Sequence, residues 1–323
     1  MLSSSQNSIL KTFFSNFLCL LLMILLGMIL PRWLLSLITI STSYFLVVLG
    51  IIILMRNGVV AFGQGLVFAI GGYASALAFI KLNITDALSL VIGSGLLAAI
   101  ISFPFSILIS RYRGIFFAML SLALSMVLYG LLIKSSFLGG WDGFNMGRVT
   151  FFGWLPSDEW NSFFQYVLAI TTAGIIGAFV KIYFDSKRGI LCLAAKQNEI
   201  RLEYLGTSAK NLISTNFVIA AFTGGVGGSL AVISIGHVDP NFTFWTTSGD
   251  FVFIAILAGH HTILAAFIAS FLLEIVRSFS NLYFPNSWQL SLGIFLLIII
   301  RFLPEGIGSI WQKKFWKKKY EKK

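Results

Sequence analysis

Long apolar runs separated by short polar breaks organise this chain. Phe13–Leu30, Trp33–Met55, Ala87–Ile109, Ile115–Ile133, Phe163–Tyr183 and Leu212–Ile235 are nearly free of charge, and each is close to the ~20 residues a helix needs to cross a hydrocarbon layer of ~30 Å. The first run follows Lys11 like a signal peptide, but its core is long and no small-x-small cleavage site follows, so a retained helix is expected. Asn57–Lys81 is apolar but carries glycines at 58, 63, 65, 71 and 72. Glycine at that density allows close backbone approach, or an interrupted helix whose freed polar groups face a cavity. Leu212–Ile235 carries Gly224, Gly225, Gly227 and Gly228 and leads to a loop with Asp239-Pro240. Pro104 predicts a late kink in its helix. Pro156-Ser157-Asp158-Glu159 reads as a capped helix start with acid in its first turn.

One polar island interrupts the pattern, Ser186 to Leu212. Ile190, Leu193, Ala194, Ile200 and Tyr204 fall on one side of a helical wheel, and Arg188, Lys196, Glu199 and Glu203 on the other. This spacing predicts one amphipathic helix whose apolar stripe rests on the membrane helices and whose charges stay in water. Gly206 is placed to stop it in the left-handed conformation, and Thr207 or Ser208 to cap the next helix, starting at Ala209. A soluble partner could push such an element and the push would pass inward.

Composition narrows the class. With 57 % hydrophobic and 11 % charged residues, the chain falls far below the roughly one-quarter charged fraction of soluble domains. Its mean hydropathy is +0.90. The 323 residues allow about ten helices and leave no room for a separate soluble catalytic domain. The net charge of +11 sits between apolar runs, a placement that fits the positive-inside rule rather than nucleic acid. Cys19 and Cys192 give no disulfide framework.

Charge also sets the expected topology. The island and the tail lysines (313, 314, 317, 318, 319, 322 and 323) are both basic, so an even number of crossings should separate them. The spans 212–235 and about 288–303 supply two, so Asp250–Val276 must enter and return. Its halves, Asp250–Ala258 and Ile263–Val276, meet at Gly259-His260-His261-Thr262. The second half is only about 21 Å long as a helix, so a hairpin of two short helices is expected. With the amino terminus inside, 18 basic residues face the cytoplasm and five lie outside: Arg32, Lys81, Lys134, Arg148 and Arg277. Trp311, Phe315, Trp316 and Tyr320 among the tail lysines suit an anionic lipid surface.

Candidate chemistry is sparse. No GxxxxGKS/T loop occurs, so any ATPase that drives this protein is another subunit. His260 and His261 are adjacent rather than i,i+4 and have no Cys, Asp or Glu nearby, so no metal site is expected. Ser229 and His237 could be cast as an intramembrane hydrolase pair, although the glycine run before Ser229 is more simply helix packing. Asp250 and Glu274 fall near helix ends in this topology, and Glu274 is spaced to pair with Arg277. The spans otherwise lack the ionisable residues of ion-coupled transporters and channels, which favours energy arriving mechanically from outside the membrane.

Five blocks then match a known family. They are Ala61-Phe62-Gly63-Gln64-Gly65 through Gly71-Gly72-Tyr73-Ala74, the run Arg113 to Ala123, and Gly139-Gly140-Trp141-Asp142-Gly143. The others are Gln197-Asn198-Glu199 with Leu205-Gly206 and the Gly-rich helix to Asp239-Pro240, and Arg301-Phe302-Leu303-Pro304-Glu305-Gly306. Together they span about 57 to 308, in the family's order. The chain resembles the permease subunits of branched-chain amino-acid ABC importers, the M-type subunit in particular.

The resemblance implies an all-α integral membrane protein of about ten helices, eight full spans plus a short hairpin, of the type II (vitamin B12 importer-like) kind. It implies one permease domain over 1–323, with a cytoplasmic coupling segment at 186–211 and a basic cytoplasmic tail at 311–323. Expected partners are two ABC ATPase subunits, an H-type second permease and an extracytoplasmic binding protein. ATP and Mg belong to the ATPases and no cofactor to this chain. The expected location is a bacterial inner membrane, with both termini cytoplasmic. Ala194, Ala195, Gln197, Asn198, Glu199, Leu205 and Gly206 would couple to the ATPase. Phe62, Gln64, Gly65, Gly71 and Tyr73 would line or shape the pathway, and Trp141 and Asp142 would lie on the outer loop. Relatives of the same architecture are expected to carry urea or short amides, and an ATP-independent channel is the rival from another class. The family's Gly-rich, Pro-containing turn is replaced here by Ala258-Gly259-His260-His261-Thr262-Ile263-Leu264-Ala265.

Overall fold

The computed structural model describes residues 20–259, 262–303 and 306–309. His260, His261 and the tail from 310 on therefore lie outside the described residues, as does the first apolar run up to residue 19. The run is helical from 20 to 27. The helices that follow are α1 (Arg32–Met55), α2 (Gln64–Leu82), α3 (Ala87–Ile109), α4 (Gly114–Lys134), α5 (Asn161–Asp185), α6 (Lys187–Gln197), α7 (Glu199–Tyr204), α8 (Ala209–Ile235), α9 (Trp245–Ala258), α10 (Ile263–Tyr283) and α11 (Trp288–Phe302). Among the described residues seven of them, α1 to α5, α8 and α10, are long and apolar enough to cross a membrane. A two-residue antiparallel ladder, Phe144–Asn145 with His237–Val238, is an addition that hydropathy does not signal.

The glycine-rich α8 is the axis of the bundle. Ser43 of α1 donates to the Gly227 carbonyl at 2.5 Å, and a Cβ on Gly50 would meet Ala220 at 2.9 Å, so α1 runs antiparallel to α8. On another side, a Cβ on Gly228 would collide with the Phe68 carbonyl and one on Gly72 would meet Val232 at 2.9 Å, so α2 runs parallel to it. From the third side Gly95 faces Val226 and Ala98 faces Gly225. Glycine is required at such crossings because the backbones themselves are in contact. Helix packing in lipid gains little from the hydrophobic effect, so this close van der Waals fit is what joins the spans.

Two ends can be distinguished. At one, Gly58 lies against Lys196, and Arg113 meets Glu199. At the other, Thr150 bonds Thr85 at 3.1 Å, Arg32 pairs with Glu159 and Arg148 with Asp158. Lys81, at 5.7 Å from the Phe137 ring, is there too. Lys134 ends α4 at the end remote from Arg113, so four of the five basic residues expected opposite the island lie opposite it.

The fifth, Arg277, corrects the expectation. It is buried inside the bundle, where it pairs with Asp250 of α9, lies 3.5 Å from Glu274 one turn earlier and donates to the Tyr44 hydroxyl of α1 at 3.1 Å. The expected Glu274–Arg277 pair is present, but Asp250 and Glu274 are not at helix ends. All three sit within helices, because each charge is compensated by the others.

The hairpin does go and return: α10 starts with Ile263 near Gly177, late in α5, and ends with Phe279 and Leu282 beside Trp33, at the start of α1. Its arms are unequal, however. α9 has 14 residues and α10 has 21, so α10 is about 31 Å long and needs no shortening. The short return is α11, whose 15 residues reach only about 22 Å. Of the described residues after α11, 306–309 lie against the end of α9, where the Ile307 amide donates to the Leu257 carbonyl at 2.8 Å. Helix α3 has the expected bounds, with Pro104 inside it. One smaller expectation also shifts. Helix α5 starts at Asn161 with no side-chain cap, after a turn in which Asn161 N–H bonds the Ser157 carbonyl at 3.1 Å.

Candidate functional site

The polar island folds as two helices rather than one. Ser186 caps α6 by accepting the Gly189 amide. Asn198 adopts extended backbone and ends it, then caps α7 by accepting the Arg201 amide at 2.9 Å. Asn198 is thus both the stop and the next start, a use of asparagine that competes with helix continuation. Gly206 (φ +82°) ends the segment in the left-handed conformation, and Ser208 caps α8, as expected.

The two-helix break rotates the faces. Cys192, Ala195 and Leu202 pack inward with Ala209 and Leu212 of α8, with Ala194 half-buried beside them. Cys192 is fixed by Asn216, whose amide donates to Sγ at 3.2 Å, and it donates to the Arg188 carbonyl. Burial pushes this thiol up from its ordinary pKa, against the downward pull of its hydrogen bonds with Asn216 and Tyr183. Of the stripe expected to rest on the bundle, Ala194 does so, but the rest faces out: Ile190 and Leu193 are exposed, Ile200 is 69 % and Tyr204 89 % exposed, with Leu205 beside them at 74 %. Gln197, Asn198 and Gly206 lie on the same outer surface. Contiguous exposed apolar residues rimmed by polar ones mark an interaction surface.

Glu199 is the exception to that exposure. Arg113, the residue before α4, donates from Nε to both carboxylate oxygens at 2.6 and 2.8 Å. Its Nη1 also donates to the carbonyls of Ser110 and Tyr112 at 2.5 and 2.9 Å. Glu199 is therefore clamped to the α3–α4 turn, a link that no local pattern in the sequence signals.

The second group of site residues lies deeper. The segment 56–63 is not helical, and α2 begins only at Gln64, beside Gly224 halfway along α8. Non-helical backbone at this depth is tolerated only where protein or a polar cavity surrounds it. Serines supply the partners. The Phe62 amide donates to Ser121 Oγ at 3.0 Å, and the Gly65 amide to Ser248 Oγ at 3.0 Å. Gln64 is 1 % exposed. Its Oε1 has no hydrogen-bond partner, and the same holds for the Tyr73 hydroxyl and for both amide atoms of Asn57. Gly71 instead meets the backbone of Gly225, at the α2–α8 crossing. At the far end Trp141 and Asp142 are exposed in a turn, with Trp141 edge-on to Tyr129.

The hydrolase pair does not form. Ser229 Oγ is buried with no hydrogen-bond partner, while His237 Nδ1 bonds Asn145 Oδ1 at 2.8 Å.

Fold and site together define a polytopic all-α membrane protein with a structured surface segment at one end and a non-helical segment, 56–63, leading into its core. Comparison with known proteins gives the family. Residues 33–302 match the family described as "Branched-chain amino acid transport system / permease component". The chain belongs to that family, and as a member it is a membrane permease subunit of a transport system rather than an enzyme. It is 24 % identical over 300 residues to the high-affinity branched-chain amino acid transport system permease protein LivM of Escherichia coli K12, across 83 % of this chain and 68 % of the relative. LivM of Salmonella typhimurium is similar to the same degree. LivH of Salmonella typhimurium is 24 % identical over 299 residues, 84 % of this chain and 92 % of its own length. No solved structure matches the chain.

Proposed function

We propose that this chain is the permease of an ATP-driven ABC importer of type II architecture, moving branched-chain amino acids inward across a bacterial inner membrane. The relatives named for that transport system support the cargo. The observation that carries the energy source is the island. It holds a rigid, outward-facing apolar patch of Ile200, Tyr204 and Leu205 at the end of the bundle where Arg56, Arg111 and Arg113 also lie. Such a patch has no reason to face water unless a protein covers it. An ABC ATPase is the partner of this reading, docking over 186–211 around Ala194, Ala195, Gln197, Asn198, Leu205 and Gly206. A second subunit of H-type would complete the pathway, an extracytoplasmic binding protein would deliver cargo at the Trp141–Asp142 end, and both termini would be cytoplasmic. The permease is one domain over 1–323, with the 311–323 tail on the lipid surface. ATP and Mg would act on the ATPases, with no cofactor in this chain.

Phe62, Gln64, Gly65 and Tyr73 form the pathway of this reading, with Gly71 setting how closely α2 lies against α8. The unpartnered oxygens of Gln64 and Tyr73 are available to a passing polar group, while the surroundings suit a branched side chain.

The test is reconstitution of the permease pair, ATPases and binding protein in proteoliposomes, with labelled leucine and urea offered separately. ATP-dependent leucine uptake supports the proposal, and urea uptake would reassign the cargo. Uptake without ATPase subunits would replace the importer with a channel. Replacing Ile200, Tyr204 and Leu205 by serine should abolish ATPase copurification while leaving membrane insertion intact.

A further inference from the structure

Helix α4 is the least enclosed of the long spans. Its buried residues are Phe117, Ser121, Ser125 and Leu132. The first three lie at i, i+4 and i+8, a single stripe along one face, and two of them are serines. A helix attached to its neighbours by one narrow stripe can shift along its axis at less cost than one locked on all sides. The stripe is also specific in what it touches. Ser121 Oγ accepts the Phe62 amide, in the non-helical segment before α2. One turn on, Ser125 Oγ donates to the Thr243 carbonyl at 2.7 Å, at the end of the short 3-10 helix (Pro240–Thr243) before α9. Backbone contact reinforces the first link, since a Cβ on Gly63 would collide with the Ser121 carbonyl. The residue that opens α4, Arg113, is the one holding Glu199 of the island.

We propose that α4 is a transmission rod. The Arg113–Glu199 ion pair joins it to the docking segment, and Ser121 and Ser125 pass its displacement to the 56–63 segment before α2 and the 3-10 helix before α9. Arg113, Ser121 and Ser125 are then positioning residues, acting through Glu199, Phe62 and Thr243. This rests on the proposed ATPase docking, and goes beyond it by naming the route that the push takes. The physical warrant is contiguity: an ion pair on the turn that opens the helix, one continuous helix, and two hydrogen bonds to backbone outside the α-helices. Each link can be broken without touching the docking patch or Gln64.

The test uses the complete reconstituted transporter and measures ATPase copurification, ATP hydrolysis and leucine uptake per ATP. In Arg113→Gln and in Ser121→Ala/Ser125→Ala, copurification should match the wild type while uptake per ATP falls about tenfold, the scale of an ordinary intersite coupling. Arg113→Glu should behave alike, and Arg113→Glu/Glu199→Arg should recover most of the loss, which a mere folding defect would not do. Uptake per ATP unchanged in Arg113→Gln and the double serine variant would overturn the rod. Failure of the exchanged pair to recover transport, in protein that elutes as a single species, would also overturn it. Loss of copurification in Arg113→Gln would make Arg113 a docking residue and equally remove the proposal. Failure of the wild type itself to bind an ATPase would sink the docking reading instead, and so is told apart.

Discussion

Arg277→Met tests the buried charge cluster most directly. Methionine keeps the length and much of the volume of the arginine stem but removes the cation. Asp250 and Glu274 are then left as two carboxylates in one buried site, with the Tyr44 hydroxyl the remaining donor named among their neighbours. Breaking a buried ion pair by removing one partner costs about 3–5 kcal/mol, because the uncompensated charge stays desolvated. The upper half of that range is expected, since two anions lose their cation together. For a chain of this size, about 2 °C per kcal/mol converts this to a fall of roughly 8–10 °C in the unfolding midpoint. The assay is thermal unfolding of the detergent-purified protein at a fixed heating rate, because such unfolding is governed by a rate. Arg277→Met/Asp250→Asn/Glu274→Gln removes all formal charge and should regain at least half of the lost midpoint. A midpoint within 2 °C of wild type for the single variant would refute the reasoning. So would a triple variant no more stable than the single one, since the penalty would then not be electrostatic.

Three further outcomes follow from the packing and the site. Gly228→Ala should destabilise by about 1–3 kcal/mol, since its methyl would strike the Phe68 carbonyl and force α2 from α8; this should outweigh the ~1 kcal/mol that alanine gains in a helix, and a raised midpoint would contradict it. Gln64→Leu removes a side chain whose oxygen has no partner, so the midpoint should move by less than about 1 kcal/mol of equivalent stability while leucine uptake falls severalfold; normal uptake would take Gln64 out of the pathway. Cys192, with Cys19→Ser as background, should react with maleimide more slowly than a free thiol at neutral pH. Its rate should keep rising above the pH where an ordinary thiol levels off, because burial holds the proton on sulfur; labelling at the free-thiol rate would contradict that burial.

The spans were the most legible part of the molecule. Trp33–Met55, Ala87–Ile109 and Ile115–Ile133 match α1, α3 and α4 to within a residue or so at each end, because the cost of placing polar residues in lipid is paid residue by residue along the chain. Gly206 and Ser208 were equally readable as stop and cap, since a left-handed turn and an N-cap are chosen by a single residue each. Harder to read were lengths set by packing. The apolar run ends at Val276, yet α10 continues to Tyr283, with Asp250 and Tyr44 of the bundle as partners for Arg277.

The amino-acid sequence by itself determined that this is a membrane-embedded helical permease, where most of its helices run, and which polar segment stands apart from them. Those properties depend on local composition and on residues a few positions apart. Only the tertiary structure decided which way the segment faces. An apolar stripe on a wheel does not say whether lipid helices or a partner will cover it. Asn198 breaks the helix, Cys192 and Leu202 take the inner face, and Ile200 and Tyr204 are left outside. The Arg113–Glu199 clamp was likewise invisible, as were the Asp250 and Tyr44 partners of Arg277, although its pairing with Glu274 was readable. The invisible partners lie up to 86 residues apart for the clamp and 233 for Arg277 and Tyr44, and electrostatic partners are chosen by distance in space, which the chain order does not contain.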